Sequence, residues 1–362
     1  MPQTRLAQQP ELQSGQARWR GALENMIVAV TGATGFVGSN LVRELLLQGH
    51  TVRALVHSPE PPPSLSDLAL GQQASPPQLT FHRGDILDPG SLRRVFAGSE
   101  VVFHLAARIS ITRHDSEAVL RTNVEGPRNV AAACLENGVR RMVHFSSVHA
   151  MHVPPQDEPM DESTPLVADE RAPPYDRSKS LGEREVLRAV DQGLDAVIIT
   201  PSGIMGPGDH GPSRIGRTVL DFARGRFPLL VPGVYNWVDV RDVVAGALAA
   251  AERGQRGEKY IVAGEVGSIR RIAELIAESG GQRAPRFDAP MWLLRPVAPV
   301  VETVSHFTKS SPLVTPQALA VLQSPCDFRY DKAARCLGHS PRPLSETVHD
   351  TVEWFRQAGR LS

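Results

Sequence analysis

Thr31-Gly32-Ala33-Thr34-Gly35-Phe36-Val37-Gly38 spaces three glycines as GxxGxxG, and what stands on either side of it decides the fold. Before it, residues 26–31 (MIVAVT) form a short apolar, β-branched run that reads as a buried strand. After it, residues 35–48 place Phe36, Val37, Leu41 and Leu45 at helical spacing and stop at Gly49. Strand, glycine loop and helix together make a dinucleotide cradle. The glycines permit the tight turn, the close approach of backbone to a pyrophosphate and the packing of helix on strand, and the helix N-terminus attracts the phosphates. Gly32, Thr34, Gly35, Phe36, Val37 and Gly38 are the expected phosphate-side contacts.

Outward from this unit the chain alternates. Thr51–Val56, Leu79–Arg83, residues 101–105, Arg141–Phe145 and residues 196–200 read as further buried strands, and residues 89–97, 117–137 and Pro174–Asp191 as helices. Such alternation predicts an α/β fold with a doubly wound parallel Rossmann sheet, because parallel neighbours need crossover helices that cover both faces. The expected dinucleotide-binding domain is 26–200, preceded by a disordered tail over 1–25 with no apolar signal segment, and interrupted by an exposed Pro- and Ser-rich loop over 59–77. From Pro201 to Gly233 the Pro and Gly content rises, and the chain is expected to leave the sheet. Residues 201–233 and 264–362 are assigned to a smaller, mostly helical C-terminal substrate lobe, with helices at 268–279, 315–322 and Leu344–Gln357. Residues 234–263 are expected to return to the sheet through strands 236–240 and Lys259–Val262, with an Ala-rich helix between them. The apolar segment 291–304, broken by Arg295, Pro296 and Pro299, reads as core or pocket lining rather than as an anchor.

Thirty-nine basic residues balance 39 acidic ones and 41% of the chain is hydrophobic, so no global field calls for nucleic acid or stable membrane insertion. Cys134, Cys326 and Cys336 are odd in number and form no CxxC pair, which suits a reducing, cytoplasmic setting. His144, His149 and His152 match no metal-ligand spacing, and no metal is expected.

An NAD site places a carboxylate about 20 residues beyond the loop to hold the ribose 2′-hydroxyl. Val56-His57-Ser58 stands there instead, with Arg53 nearby, which favours NADP over NAD. Arg53 and His57 are equally readable as solvated strand-end residues. Asp85, with Ile86 beside it, is placed to meet the adenine, or is a plain turn residue. Small residues in Leu105-Ala106-Ala107 suit a cofactor lying flat against backbone. Tyr175 and Lys179 share one face of a helix at i,i+4, and a nearby cation favours the phenolate of a group whose ordinary pKa is about 10. Ser147, with Ser146 in reserve, ends a strand at the carboxyl edge, where a hydroxyl can polarise a carbonyl. Asn123 is a candidate for a backbone or water contact behind Tyr175.

Together TGATGFVG (31–38), GDILD (84–88), HLAA (104–107), TNVEG (122–126), FSSV (145–148), YDRSK (175–179) and PSGIMGPGD (201–209) resemble the extended short-chain dehydrogenase/reductase family over nearly all of residues 26–358. The resemblance implies catalysis by Ser147, Tyr175 and Lys179, cofactor contacts that extend to Pro201 and Gly203, a small-molecule substrate held by the lobe, and a homodimer through the helices of Asn123 and Tyr175. The nucleotide-sugar epimerases and dehydratases of that family carry RPxxVYGP and an Arg-Asp-aromatic motif whose Arg grips a diphosphate. Here Thr200-Pro201-Ser202-Gly203-Ile204-Met205-Gly206-Pro207 and Tyr235-Asn236-Trp237 stand in those places. The chain looks more like the dihydroflavonol-reductase and 3β-hydroxysteroid-dehydrogenase branch. The expected activity is therefore NAD(P)-dependent hydride exchange between a secondary alcohol and a ketone on a hydrophobic, ring-type substrate. The rivals are a nucleotide-sugar epimerase and a non-catalytic dinucleotide-binding protein.

Overall fold

The computed structural model describes residues 25–58, 64–66, 68, 78–109, 116–153, 158–308 and 315–361, with side chains from 302 to 308 excluded. Residues 1–24 of the expected tail and most of the expected 59–77 loop lie outside the described residues.

Alternation of side chains about the first strand builds the two faces of the core. In β1 (Ile27–Thr31), Val28 and Val30 enter one apolar cluster and Ala29 the other. Around it, β2 (Thr51–Val56), β3 (Leu79–Arg83), β4 (Val101–His104), β5 (Arg141–Phe145), β6 (Ala196–Pro201) and β9 (Lys259–Val262) form a seven-stranded sheet in the order β3-β2-β1-β4-β5-β6-β9. Every pairing in it is parallel. One face is covered by α1 (Phe36–Leu47) through Leu41, Val42 and Leu45, and by α7 (Val240–Arg253) through Val243, Val244 and Ala247. The other is covered by α2 (Pro89–Phe96), α4 (Gly126–Glu136) and α5 (Pro174–Asp191) through Phe96, Val130 and Val186. Strand order reverses between β1 and β4, and the crevice at the carboxyl ends of those strands is where such sheets take ligands.

Strand β9 rejoins the large sheet as expected, but residues 236–240 do not. Residues 236–239 lie in β8 (Val234–Asp239), the middle of a separate three-stranded sheet, parallel to β7 (Gly203–Met205) and antiparallel to β10 (Glu265–Ser268), while Val240 already opens α7. Two-residue periodicity identifies a strand but carries no information about its partner. The branch between the sheets is fastened by Asn236, whose Oδ1 accepts from Ser202 Oγ at 2.7 Å and Gly264 N at 2.9 Å, while its Nδ2 donates to Gly264 O at 3.1 Å.

The small sheet packs against α6 (Arg214–Ala223), α8 (Ile269–Glu278) and α12 (Leu344–Gln357) around Trp237, Ile276, Val352 and Phe355, so the mostly helical lobe is built on a small sheet of its own. Phe355 is fully buried. Phe355→Ala is expected to cost about 3–5 kcal/mol through lost transfer energy plus an unfilled cavity. Urea titration of both proteins checks this, and an unchanged midpoint would contradict the packing.

Segment 291–304, expected to be core or pocket lining, is not buried as core. It forms most of α9 (Met291–Thr308), which leaves Trp292 76% and Val300 62% exposed and buries Ala298. Composition registers apolarity, but only tertiary packing decides which face is covered. Among the described residues no helix is long and apolar enough to cross a membrane.

Candidate active site

The turn after β1 holds its shape because two glycines leave no room for a side chain. Gly32 has φ +74, and a Cβ there would sit 2.6 Å from Ala106 N on the loop after β4. A Cβ on Gly38 would meet Gly32 O at 2.1 Å. Gly35 N closes the turn by donating to Gly32 O at 3.1 Å. Helix α1 then starts at Phe36 with no side-chain cap, so backbone N–H groups of its first turn remain for an anion. Thr34 and Gly35 are exposed at the mouth, and Phe36 and Val37 are half-buried. Opposite them, Leu105 N donates to Thr31 O and Ala106 N to Thr31 Oγ1, which leaves Ala107 exposed on the far lip. A bare backbone cradle and a helix end with unpaired donors fit a dinucleotide diphosphate.

Next to this cradle, β5 delivers Ser146 and Ser147 in opposite directions. Ser146 Oγ turns inward and donates to the fully buried Glu183 at 2.5 Å, and Lys259 reaches the same carboxylate at 2.7 Å. That removes Ser146 as a free hydroxyl. Ser147 Oγ accepts from His149 N at 3.2 Å and contacts the Tyr175 phenol. Tyr175 and Lys179 stand on the first turns of α5, a helix that begins with Pro174, whose missing N–H costs nothing at that position.

Burial pushes the Tyr175 phenol up to about 12; the Ser147 contact pulls against this and the Asp176 carboxylate adds to it. The expected lysine–phenol coupling is not what sets this value. Lys179 Nζ donates to Phe145 O at 2.6 Å, and burial brings its ammonium down to about 8 against the opposing pull of Glu183. The sign of the consequence for stability follows from that depression. Between about pH 8 and the ordinary lysine value of 10.5 the unfolded chain keeps a proton that the folded chain has lost, so this site makes stability rise with pH across that window. Lys179→Met is expected to remove that rise, measured as the difference in denaturant midpoint between pH 7.5 and pH 10; an identical rise in both proteins would overturn the assignment.

Asn123 fastens the two halves of the site from a π-helical turn, Arg121–Glu125. Its Oδ1 accepts from Arg108 N at 2.8 Å, and its Nδ2 donates to Arg108 O and to Ser178 Oγ, both at 2.9 Å. The loop after β4 is thereby tied to the helix of Tyr175. Gly182, one turn past Lys179, lets that helix lie against Asn123 O, which a Cβ would meet at 2.1 Å.

Other sequence candidates fall elsewhere. Arg53 lies below the carboxyl edge and donates to the Val95 and Ala97 carbonyls, where it closes the C-terminal end of α2. Its guanidinium is engaged at that helix end rather than free for a cofactor phosphate. His57 stays exposed at the end of β2, and beside it the register Val56↔Arg83 sets an exposed arginine that the sequence reading passed over. Asp85 Oδ1 accepts from Leu87 N at 2.9 Å, while the Ile86 side chain is buried against Gly126. Pro201 is buried in the sheet, and the open side of Gly203 is filled by the Tyr235 ring, which a Cβ would meet at 2.6 Å. Tyr235, His149 and Asp176 gather beside Tyr175; no spacing in the sequence links them, since they come from three separate elements.

The family model described as the NAD dependent epimerase/dehydratase family matches residues 28–263. The chain is 35% identical over 338 residues to sterol demethylase protein B of Methylococcus capsulatus, covering 93% of this chain and 100% of that one. It is 36% identical over 334 residues to a putative dihydroflavonol 4-reductase of Synechocystis, covering 91% and 94%. The crystal structure of gox2253 superposes with a TM-score of 0.78 at 36% identity, covering 93% of this chain and 100% of that one. With the glycine cradle and the parallel sheet already in view, these matches make the chain a member of the NAD-dependent epimerase/dehydratase family, within the extended short-chain dehydrogenases/reductases.

Proposed function

We propose that the protein is an NADP-preferring ketone reductase, working reversibly as a secondary alcohol dehydrogenase, in which Ser147, Tyr175 and Lys179 handle the proton and the glycine cradle holds the cofactor. The observation that carries this reading is the convergence of those three side chains at the carboxyl edge of β5, next to a cradle that two glycine collisions keep open. The similarity to a relative named as a reductase supports the direction of the chemistry.

When bound, the nicotinamide supplies or accepts the hydride. The protein's own work is on the oxygen. Ser147 donates a hydrogen bond to the substrate carbonyl and Tyr175 passes it a proton. Lys179, anchored by Phe145 O and balanced by Glu183, keeps a cation within the site that favours the phenolate left behind. Asn123 holds the Arg108 backbone and Ser178, so that the tyrosine and the loop after β4 keep their separation.

Preference for NADP is supported by the missing carboxylate at the end of β2 and by exposed His57 and Arg83 at that edge. Arg83→Ala is expected to raise KM for NADPH about tenfold or more through a lost charge-assisted contact, with KM for NADH little changed. A panel of apolar ketones and alcohols, followed at the nicotinamide absorbance with NADH and NADPH separately, tests the activity. Absence of turnover across it, or equal turnover by the Tyr175→Phe variant, would remove the reading.

A further inference from the structure

Three side chains outside the Ser147/Tyr175/Lys179 set form a hydrogen-bonding line of their own. Tyr235, on β8, places its hydroxyl 2.9 Å from His149 Nε2. His149, in the single turn Val148–Ala150 that follows Ser147, places Nδ1 3.5 Å from Asp176 Oδ1. Asp176 follows Tyr175 on α5, and its Oδ1 is buried without a hydrogen-bond donor at ordinary distance. The imidazole stands between two phenols, with ring centroids 6.0 Å from Tyr175 and 6.2 Å from Tyr235.

Because the ring is half-buried and poorly solvated its charged form is disfavoured, with the imidazole held down to about 4, and burial lifts the Asp176 carboxyl to about 7. A neutral imidazole has one N–H, and the carboxyl decides which nitrogen carries it. With Asp176 ionised, Nδ1–H points at the carboxylate, Nε2 accepts the Tyr235 proton, and the phenol oxygen presents lone pairs. With Asp176 protonated, its O–H donates to Nδ1, Nε2–H donates to the phenol oxygen, and the Tyr235 O–H is free to donate. The titratable groups around the ring are Asp176 and Tyr175 on α5, Tyr235 on β8 and, beside Tyr235, Cys326.

We infer that Tyr235, His149 and Asp176 are a switchable hydrogen-bonding unit that engages a second oxygen of the substrate near the reacting carbonyl, so that the substrate class is a hydroxyketone or diketone rather than a simple ketone. This rests on the reading of Tyr175 as the proton donor to the first carbonyl. With Asp176 protonated, its O–H faces His149 Nδ1, Nε2–H donates to the phenol oxygen and the Tyr235 O–H donates to the second substrate oxygen; with Asp176 ionised, the phenol donates to Nε2 and its oxygen accepts from a substrate hydroxyl instead. No proton passes to or from the substrate in either arrangement, and nothing is oxidised or reduced.

Nitrogen-15 NMR of the full chain labelled at histidine tests this without requiring turnover, with His149 assigned through His149→Gln. The ring is expected to stay neutral from pH 8 to pH 5 while its proton moves from Nδ1 to Nε2 as pH falls through about 7, and Asp176→Asn should abolish the exchange. Protonation of both nitrogens in that range, or a tautomer that never changes, overturns the line. Saturating 2-hydroxycyclohexanone is expected to shift the Nε2 resonance in the native protein but not in Tyr235→Phe, whereas cyclohexanone leaves it in place. An equal response to both compounds, or none to either, overturns the assignment to a second oxygen. Tyr175→Phe kinetics judge the reductase reading separately, since the tautomer readout needs no reaction.

Discussion

Tyr175→Phe is expected to lower turnover of a ketone by a factor of about 10²–10⁴, the usual contribution of a positioned acid or base, while NADPH still binds. The phenyl ring refills the same buried space on α5, so folding should be little disturbed, and only the hydroxyl that Ser147 contacts is lost. With that hydroxyl raised to about 12, proton loss is costly at neutral pH. Bound oxidised nicotinamide would add positive charge close by, and Lys179 already stands one helical turn away, so the phenolate gains stabilisation in the loaded site that the bare groove does not give. Single-turnover absorbance traces separate this effect from product release, and fluorescence titration measures NADPH binding. Unchanged turnover with binding intact would remove Tyr175 from the chemistry.

What the sequence could show was governed by distance along the chain. The glycine turn, the helix that follows it and the Tyr175/Lys179 pair are local patterns, and each lies on the element predicted for it. The same is true of Ser147 after β5, although what distinguishes it from Ser146 is Glu183, 37 residues away, which claims the Ser146 hydroxyl. Arg53 shows the opposite limit. Its position in the chain suits a phosphate contact, but strand direction points it at the end of α2, 44 residues on at Ala97. Residues 236–239 read correctly as a strand and wrongly as part of the large sheet, because their partners are β7 and β10, which no local pattern names. Tyr235, His149 and Asp176 were invisible for the same reason: their meeting depends on how two sheets diverge at Asn236.

The second large effect is expected from Gly38→Ala, which should abolish measurable dinucleotide binding although it adds one methyl group. That methyl would stand 2.1 Å from Gly32 O, 2.8 Å from Gly32 C and 3.0 Å from Ala33 Cα, all of them backbone atoms with no flexible end to swing aside. Either α1 slides away from β1, pulling Leu41 and Leu45 from the core, or the turn opens and spreads the N–H groups that face the diphosphate. Overpacking of this kind costs about 1–3 kcal/mol in stability, and opening the turn separates donors that must act on one anion together. Gly98→Ala serves as the matched control. Gly98 also has a left-handed φ, +73, but a Cβ there meets nothing within 4 Å, so its substitution brings backbone strain without collision. Calorimetric titration with NADPH should therefore find binding intact in Gly98→Ala and lost in Gly38→Ala, with circular dichroism confirming that both are folded. Equal binding by the two variants would mean that the helix can move without consequence for the phosphates, and that the cradle is not where the cofactor sits.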